Sequence, residues 1–197
     1  MAEQQRTSPA DPSRPLYAGI LIGGRSARMG RPKHLLEVAG VTLLDRVAAA
    51  LAPVAGRPVL LGSGPLPPGW ADAVCLPDAP DAAGPAAGLL AAMRWAPAAA
   101  WLLASCDLPR LETSAVVWLL GERRPERWVV FPSLDGVYPE PMLALYEPPS
   151  RALLEDAAAA GRGPSSLARH PAAALVTVPV ALRASWRDAD SPADLGR

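Results

Sequence analysis

The sequence predicts one α/β domain built on a mostly parallel sheet. Its 197 residues provide one full hydrophobic core and leave little room for a second. Short apolar runs that suit buried strands alternate with segments of helical apolar spacing. The 24 prolines and 16 glycines supply many breaks between these segments. Such an alternation is typical of a parallel sheet with helices on both faces, a three-layer α/β/α arrangement.

The first half of the chain contains two strand-loop-helix units. Thr42 and Asp45 form a variant of a capping box, and Pro53 and Gly56 are expected to end the helix that follows. Gly84-Pro85 marks the start of the next helix. The pattern predicts strands over 16–22 and 57–62 with a short one from 74, and helices over about 42–52 and 85–95.

The second half alternates less regularly. The apolar pattern predicts strands over 101–105, 128–131, 142–146 and 174–178, and helices over about 113–120 and 150–160. Ser191-Pro192 with Asp194 is a helix-start signature and predicts a last short helix. The polar, proline-containing segment 1–15 reads as a disordered leader, and 16–197 as the single domain.

Composition excludes several classes of function. Nineteen basic residues balance nineteen acidic ones, which argues against a nucleic-acid partner. No apolar run has the length of a membrane span or of a signal peptide, so we expect a cytoplasmic protein without a membrane partner. Cys75 and Cys106 lack metal-ligand spacing, so no zinc site is expected. The two histidines have no partners at the spacing of a hydrolytic triad.

The loop after the first strand has the composition of an anion-binding loop. Gly23 and Gly24 remove side chains where backbone amides can approach phosphate oxygens, and four cations, Arg25, Arg28, Arg31 and Lys33, follow without an acid. The loop matches neither the P-loop nor the dinucleotide fingerprint. The residue types alone fit equally well with a plain turn whose arginines lie in solvent.

Two further loops follow predicted strands, and ligands of such sheets bind at the carboxyl ends of strands. One extends from Asp78 to Gly88, and the other carries Asp107 directly after the strand 101–105. By itself, Asp107 fits a metal or phosphate site and also the cap of the next helix.

The segment LIGGRSARMGRPKHLL (21–36) resembles the signature of the MobA-type nucleotidyltransferases, L-x-G-G-x-S-x-R-M-G-x-x-K-x-L-L. SCDLP (105–109) resembles the family's C-D-x-P, and GPAAG (84–88) resembles G-P-L-A-G of molybdenum cofactor guanylyltransferases. DADSPADL (188–195) resembles the closing N-x-N-T-P-E-D-L. The resemblance covers four motifs in the family's order and implies a Rossmann-like nucleotidyltransferase fold.

The resemblance also implies an activity: transfer of GMP from GTP to molybdenum-bearing molybdopterin, which gives the guanine dinucleotide cofactor and pyrophosphate. It implies Mg²⁺ as cofactor, GTP and molybdopterin as substrates, and transient contacts with enzymes that make or accept the molybdenum cofactor. The implied catalytic residues are Lys33, Arg28 and Asp107, with Asp107 on the metal. The implied nucleotide-binding set adds Leu21, Ile22, Gly23, Gly24, Asp78, Gly84 and Gly88.

Several positions depart from the family pattern. Asp188 and Asp190 replace the two closing asparagines, which the resemblance implies face the acceptor or the metal, and a carboxylate only accepts hydrogen bonds. Ala86 replaces a leucine, and the strand end at Ser63 lacks the family's asparagine. The Gly-Gly pair of LIGG resembles the guanylyltransferase branch of the family, whereas cytidylyltransferase relatives more often read A-A-G, so the resemblance favours GTP over CTP. Transfer from CTP or to another phosphorylated acceptor, and a catalytically silent nucleotide-binding module that regulates partner enzymes, are the alternatives.

Overall fold

The computed structural model describes residues 14–22 and 32–189. The nine strands are β1 Leu16–Leu21, β2 Glu37–Val38, β3 Val41–Thr42, β4 Val59–Leu61, β5 Cys75–Leu76, β6 Ala100–Ser105, β7 Val129–Ser133, β8 Leu143–Tyr146 and β9 Ala173–Thr177. The four α-helices are α1 Leu43–Ala55, α2 Pro85–Trp95, α3 Thr113–Leu120 and α4 Ser150–Ala159. Three short 3₁₀ helices lie at Lys33–Leu35, Pro164–Arg169 and Val180–Trp186. These counts refer to the described residues.

Seven of the strands form the central sheet, in the order β5-β4-β1-β6-β8-β7-β9. Neighbouring strands are parallel except at β8, which is antiparallel to both β6 and β7. The mostly parallel sheet predicted from the sequence is therefore confirmed. The alternation of strands and helices does not reveal the direction of β8, because β7 and β8 are joined by a loop and not by a crossover helix.

Apolar side chains on the two faces of the sheet form two separate cores. In β6, Leu102 faces the core that contains helices α1 and α3, whereas Trp101 and Leu103 face the core that contains α2 and α4. This alternation follows from the period of two along a strand, and it explains why the buried strands read as continuous apolar runs. The three-layer α/β/α arrangement is confirmed.

Helix α1 begins as predicted and ends later than predicted. The Thr42 hydroxyl accepts a hydrogen bond from the Asp45 backbone N–H at 3.0 Å, which is the N-cap contact expected from the sequence. Pro53 does not end the helix; it lies inside the last turn, and the helix continues to Ala55. Gly56 ends it, with φ at +67°.

Two kinds of element were not predicted. The 3₁₀ segments carry no apolar period that separates them from loops. The hairpin of β2 and β3 turns at Ala39 and Gly40, both with positive φ, and its strands have only two residues each. Residues 1–13 of the expected leader 1–15, and the expected last helix that begins at Ser191, lie outside the described residues. In the described ranges, no helix is long and apolar enough to cross a membrane.

Candidate active site

The carboxyl ends of β1, β4 and β6 lie side by side at one edge of the sheet. Leu21 at the end of β1 pairs with Leu61 of β4 and with Ser105 of β6. The pairing continues one residue further, since the Ile22 N–H donates to the Leu61 carbonyl at 2.9 Å. The loops that follow these three strands therefore start from neighbouring points, as the sequence predicts for a ligand site of a parallel sheet.

Lys33 and Asp107 meet at this edge. Lys33 Nζ donates to Asp107 Oδ2 at 2.8 Å across 74 positions of sequence, and the side chains are 20% and 16% exposed. Asp107 does not cap the next helix, because Glu112 occupies the N-cap position of α3. The Asp107 carboxylate is therefore available to the edge of the sheet and lies beside a cation, which is the arrangement expected of a phosphate and metal site.

Two backbone hydrogen bonds fix the turn that carries Asp107. The Cys106 N–H donates to the Leu21 carbonyl at 3.2 Å, and the Ala189 N–H donates to the Asp107 carbonyl at 2.9 Å. The second bond connects the turn with the segment that follows Trp186.

Cys106 itself is buried, and burial raises the pKa of its thiol to about 12. The thiol therefore stays protonated and serves as a small apolar residue.

The loop between β5 and α2 brings Asp78 and the Gly84–Gly88 segment to the same edge. A Cβ at Gly88 would lie 2.6 Å from Leu21 Cδ2, 3.2 Å from Leu61 Cβ and 3.5 Å from Asp78 Oδ1. The first turn of α2 therefore packs directly on the ends of β1 and β4, and only glycine permits that approach. Gly84 precedes the helix with φ at +58°.

An exposed ion-pair cluster holds the outer part of this loop. Arg94 of α2 makes two hydrogen bonds to the Asp81 carboxylate, at 2.7 and 2.8 Å, and one to Glu155 of α4 at 3.3 Å. The guanidinium group lowers the pKa of Asp81 to about 2. The Asp81–Arg94 pair thus connects the loop to the helix that follows it.

Two cavities are lined by residues at the carboxyl ends of these strands. The smaller one, of about 250 Å³, is formed by the ends of β1, β4 and β5 and is lined by Ile22, Gly62, Ser63, Gly64, Cys75 and Pro77. The larger one, of about 610 Å³, includes Asp107, Glu140, Trp186 and Asp188 in its wall. Burial, with the nearby charges of Asp188 and Asp135, raises the pKa of Glu140.

A three-layer α/β fold with cavities at the carboxyl ends of its strands fits many ligand-binding families, and the comparison with family models decides among them. The MobA-like NTP transferase domain matches residues 18–175. The chain belongs to the MobA-like NTP transferase family. The matched range includes Lys33, Asp78 and Asp107 and ends before the closing segment with Asp188.

Relatives of this MobA-like chain include molybdenum cofactor guanylyltransferases. One from Sinorhizobium fredii is 41% identical over 133 residues, 55% of this chain and 60% of that relative, so the chain spans less than two thirds of its length. One from Nitrobacter hamburgensis is 32% identical over 157 residues, 72% of this chain and 74% of the relative. The crystal structure of molybdopterin-guanine dinucleotide biosynthesis protein A from Archaeoglobus fulgidus is 25% identical, with a TM-score of 0.70 over 91% of this chain and 95% of that one.

The structure brings together some of the residues that the MobA-like signature implies. Lys33 and Asp107 are in contact, and Leu21, Asp78 and Gly88 lie within one packing cluster. Ile22 lines the smaller cavity, and Asp188 lines the larger one. Gly23, Gly24, Arg28 and Asp190 lie outside the described residues.

Two residues of this edge escaped the sequence analysis. Glu140 lies in the wall of the larger cavity, but it belongs to a proline-rich loop without a recognisable pattern. His34 adjoins Lys33 and is 1% exposed. Its position inside the signature segment was visible, but nothing in the sequence indicates that its side chain points inward.

Among the described residues, no group of three or more His, Cys, Asp or Glu side chains forms a ready metal site.

Proposed function

We propose that the protein transfers GMP from GTP to molybdenum-bearing molybdopterin, forming the guanine dinucleotide cofactor and pyrophosphate. The observation that carries the proposal is the 2.8 Å pair of Lys33 and Asp107 at the carboxyl edge of the sheet. Asp107 lines a cavity of about 610 Å³, and Ile22, which follows β1, lines one of about 250 Å³. The smaller cavity has room for a nucleobase and the larger one for a bulkier acceptor. The relatives from Sinorhizobium fredii and Nitrobacter hamburgensis, both molybdenum cofactor guanylyltransferases, support this choice of substrates.

The reaction requires a site that stabilises negative charge. A terminal phosphate oxygen of molybdopterin attacks the α-phosphorus of GTP, a new P–O bond forms, and the bond to pyrophosphate breaks with its electron pair on the leaving group. Charge builds up on the nonbridging oxygens and on pyrophosphate, so cations and backbone amides lower the barrier. In our proposal Lys33 neutralises the phosphates, and no residue forms a covalent intermediate.

The residues at this edge fit a magnesium ion. Mg²⁺ is commonly held by one or two carboxylates together with substrate phosphates and water, so the single carboxylate of Asp107 matches such a site. When bound, the ion would neutralise charge on the triphosphate. Lys33 then contributes the second positive charge from the protein side.

The remaining nucleotide contacts of the proposal come from the family signature. Gly23 and Gly24 would hold the triphosphate with backbone amides, and Arg28 would be a second cation of that pocket. In the proposal Leu21, Ile22 and Asp78 would border the base, as would the segment from Gly84 to Gly88. Of these residues, Gly88 packs against Leu21 and Asp78.

On the acceptor side, the proposal assigns Asp188 and Asp190. Asp188 is exposed in the wall of the larger cavity, and the Ala189 N–H bond to the Asp107 carbonyl keeps this segment beside the metal-binding carboxylate. A carboxylate at position 188 accepts hydrogen bonds, so it suits N–H groups of the acceptor and not its phosphate. Contacts with enzymes that supply or accept the cofactor belong to the proposal as well.

A second candidate is the same chemistry with CTP. Ser63 lines the smaller cavity, and the strand end 60–63 lacks the asparagine of the family, so the wall of this cavity departs from the pattern that would select the base. The two candidates differ in the donor nucleotide and not in the roles of Lys33 and Asp107.

One experiment separates these possibilities. The protein is incubated with Mg²⁺, molybdopterin and equal concentrations of GTP, CTP, ATP and UTP, and any dinucleotide product is identified by mass. A guanine dinucleotide supports the first proposal, and a cytosine dinucleotide supports the second. The silent binding module predicts a third result. In that case the protein binds nucleotide, forms no product from molybdopterin or any other phosphorylated acceptor, and releases no pyrophosphate.

A further inference from the structure

His34 is a buried polar residue next to the lysine of the candidate active site. Both residues belong to the 3₁₀ segment Lys33–Leu35, yet the Lys33 side chain reaches the sheet edge while His34 is 1% exposed. Its Nε2 lies 2.8 Å from the Pro65 carbonyl oxygen, 31 positions away. Since a carbonyl oxygen only accepts, Nε2 carries the hydrogen and donates it.

Pro65 belongs to the loop that forms one wall of the smaller cavity. Gly62, Ser63 and Gly64 line this cavity, and they immediately precede Pro65 in the sequence. The imidazole also packs against this loop: a Cβ added at Gly64 would lie only 3.3 Å from His34 Cε1. In the described ranges, the His34 bond is the one hydrogen bond that ties residues 63–66 to the rest of the chain.

The single hydrogen bond explains why a histidine occupies this buried position. Its other nitrogen, Nδ1, is buried without a hydrogen-bond partner, and burying an unpaired polar atom costs free energy. A leucine would fill a similar volume without that cost. The contact that only the histidine provides is the donor to Pro65, so the hydrogen bond is the feature that distinguishes it from a packing residue.

We propose that His34 is a positioning residue for the nucleobase. It holds the wall formed by Gly62, Ser63 and Gly64 from the same turn that carries Lys33, so one short segment sets both the base cavity and the phosphate-binding cation. His34 does not touch the nucleotide itself. This inference rests on the proposed function in so far as the smaller cavity takes the base.

The test is equilibrium binding of GTP, CTP and ATP, each with Mg²⁺ and without an acceptor. His34→Leu keeps the volume and removes the donor; we expect its Kd for the preferred nucleotide to rise about three- to tenfold, the effect of one hydrogen bond. The preference among the three bases is expected to shrink with it. His34→Gln places an amide N–H within reach of Pro65 and is expected to recover most of the affinity and of the preference.

Gly64→Ala provides a second probe that leaves His34 unchanged. Its methyl group presses on the imidazole at 3.3 Å, so the same direction of change is expected. His170→Leu is the matched control, because the other histidine stacks on Trp128 beside β9 and not at the site. Thermal unfolding of every variant checks the fold, and a purely structural role would lower Tm without changing the base preference.

The outcomes separate this inference from the proposed function. If His34→Leu and Gly64→Ala bind all three nucleotides with the affinities of the wild type, the inference is overturned while the proposed function stands. If the wild type binds nucleotide but transfers nothing to molybdopterin, the proposed function fails and the binding comparison still decides the role of His34. Absence of nucleotide binding by the wild type would overturn both.

Discussion

Lys33 Nζ lies 2.8 Å from Asp107 Oδ2, so a cation from the loop after β1 and an anion from the end of β6 neutralise each other at one point. The adjacency of β1 and β6 in the sheet produces this contact. In the nucleotide complex that we propose, Lys33 would contact the phosphates and Asp107 would hold the metal. The pair therefore keeps both groups in place before the substrate arrives.

Replacing Lys33 tests this role. We expect Lys33→Ala to lower kcat/KM for transfer by about 100-fold or more, because a preorganised charge on the transferring phosphate is lost. The free energy of unfolding is expected to fall by no more than about 1 kcal/mol, since the pair is partly exposed to solvent. Steady-state pyrophosphate release and urea unfolding measure the two effects. Turnover equal to the wild type would remove Lys33 from the mechanism.

The composition of the chain allows a chemical version of the same test. Lys33 is the only lysine among 19 Lys and Arg residues. An amine-specific reagent, used at a pH where its reaction with the N-terminal amine is corrected for by peptide mass mapping, labels one side chain. We expect labelling of Lys33 to abolish transfer and GTP with Mg²⁺ to slow the labelling. Unchanged labelling in the presence of bound nucleotide would contradict a phosphate contact.

Gly88 tests the packing of α2 on the site. A Cβ there meets Leu21 Cδ2 at 2.6 Å and Leu61 Cβ at 3.2 Å, so Gly88→Ala forces the helix or these side chains to move. We expect a loss of about 1–3 kcal/mol in the free energy of unfolding and weaker GTP binding. Gly163→Ala is the matched control, because nothing lies within 4 Å of its Cβ position. Equal urea midpoints for the two variants would show that α2 adapts without cost.

Much of the fold and part of the site could be predicted from the sequence. Buried strands such as β6 read as unbroken apolar runs because both faces are covered, and the cap at Thr42 has its own local signature. Asp107 was predicted because it directly follows such a strand. These features are determined by residues that are close together in the sequence, so a local sequence pattern is enough to predict them.

Other features depend on contacts between distant segments. His34 points towards a loop 31 positions away, and Glu140 shares a cavity with Asp107 and Trp186, which lie far from it in sequence. Pro53 was expected to end α1, but a proline near the end of a helix costs one backbone hydrogen bond, and the packed face of the helix offsets it. Local sequence patterns carry none of this information. Lys33, by contrast, stands out in the composition, because it is the only lysine and every other basic residue apart from histidine is arginine.

Glu140→Gln is expected to stabilise the protein at neutral pH. Burial and the charges of Asp188 and Asp135 raise the pKa of Glu140 in the folded state, so its ionised form destabilises the fold above that pKa. The penalty is absent below the ordinary value of 4.5, where the group is protonated in both states. We expect a gain of less than about 1 kcal/mol at pH 7 that disappears below about pH 4.5.

Urea unfolding of both forms between pH 4 and pH 8 measures this difference. Glu126→Gln, at an exposed position, is the control for the loss of one negative charge. A gain for Glu140→Gln that is the same at pH 4 and pH 7, or that Glu126→Gln reproduces, would contradict the proposed repulsion at the larger cavity.

The two cysteines provide a test of the smaller cavity. Cys75 is exposed in its wall, whereas Cys106 is buried and its pKa is raised to about 12 by burial. A disulfide reagent at pH 8 is therefore expected to titrate one thiol in the native protein and two in denaturant, since only an accessible thiolate reacts. GTP with Mg²⁺ is expected to slow the reaction of Cys75 if the base occupies this cavity. Cys75→Ser identifies the reactive thiol, and pyrophosphate alone is the control ligand that lacks a base. Equal reaction rates with GTP and with pyrophosphate would place the base elsewhere, because a base in this cavity shields a sulfur atom that pyrophosphate cannot cover.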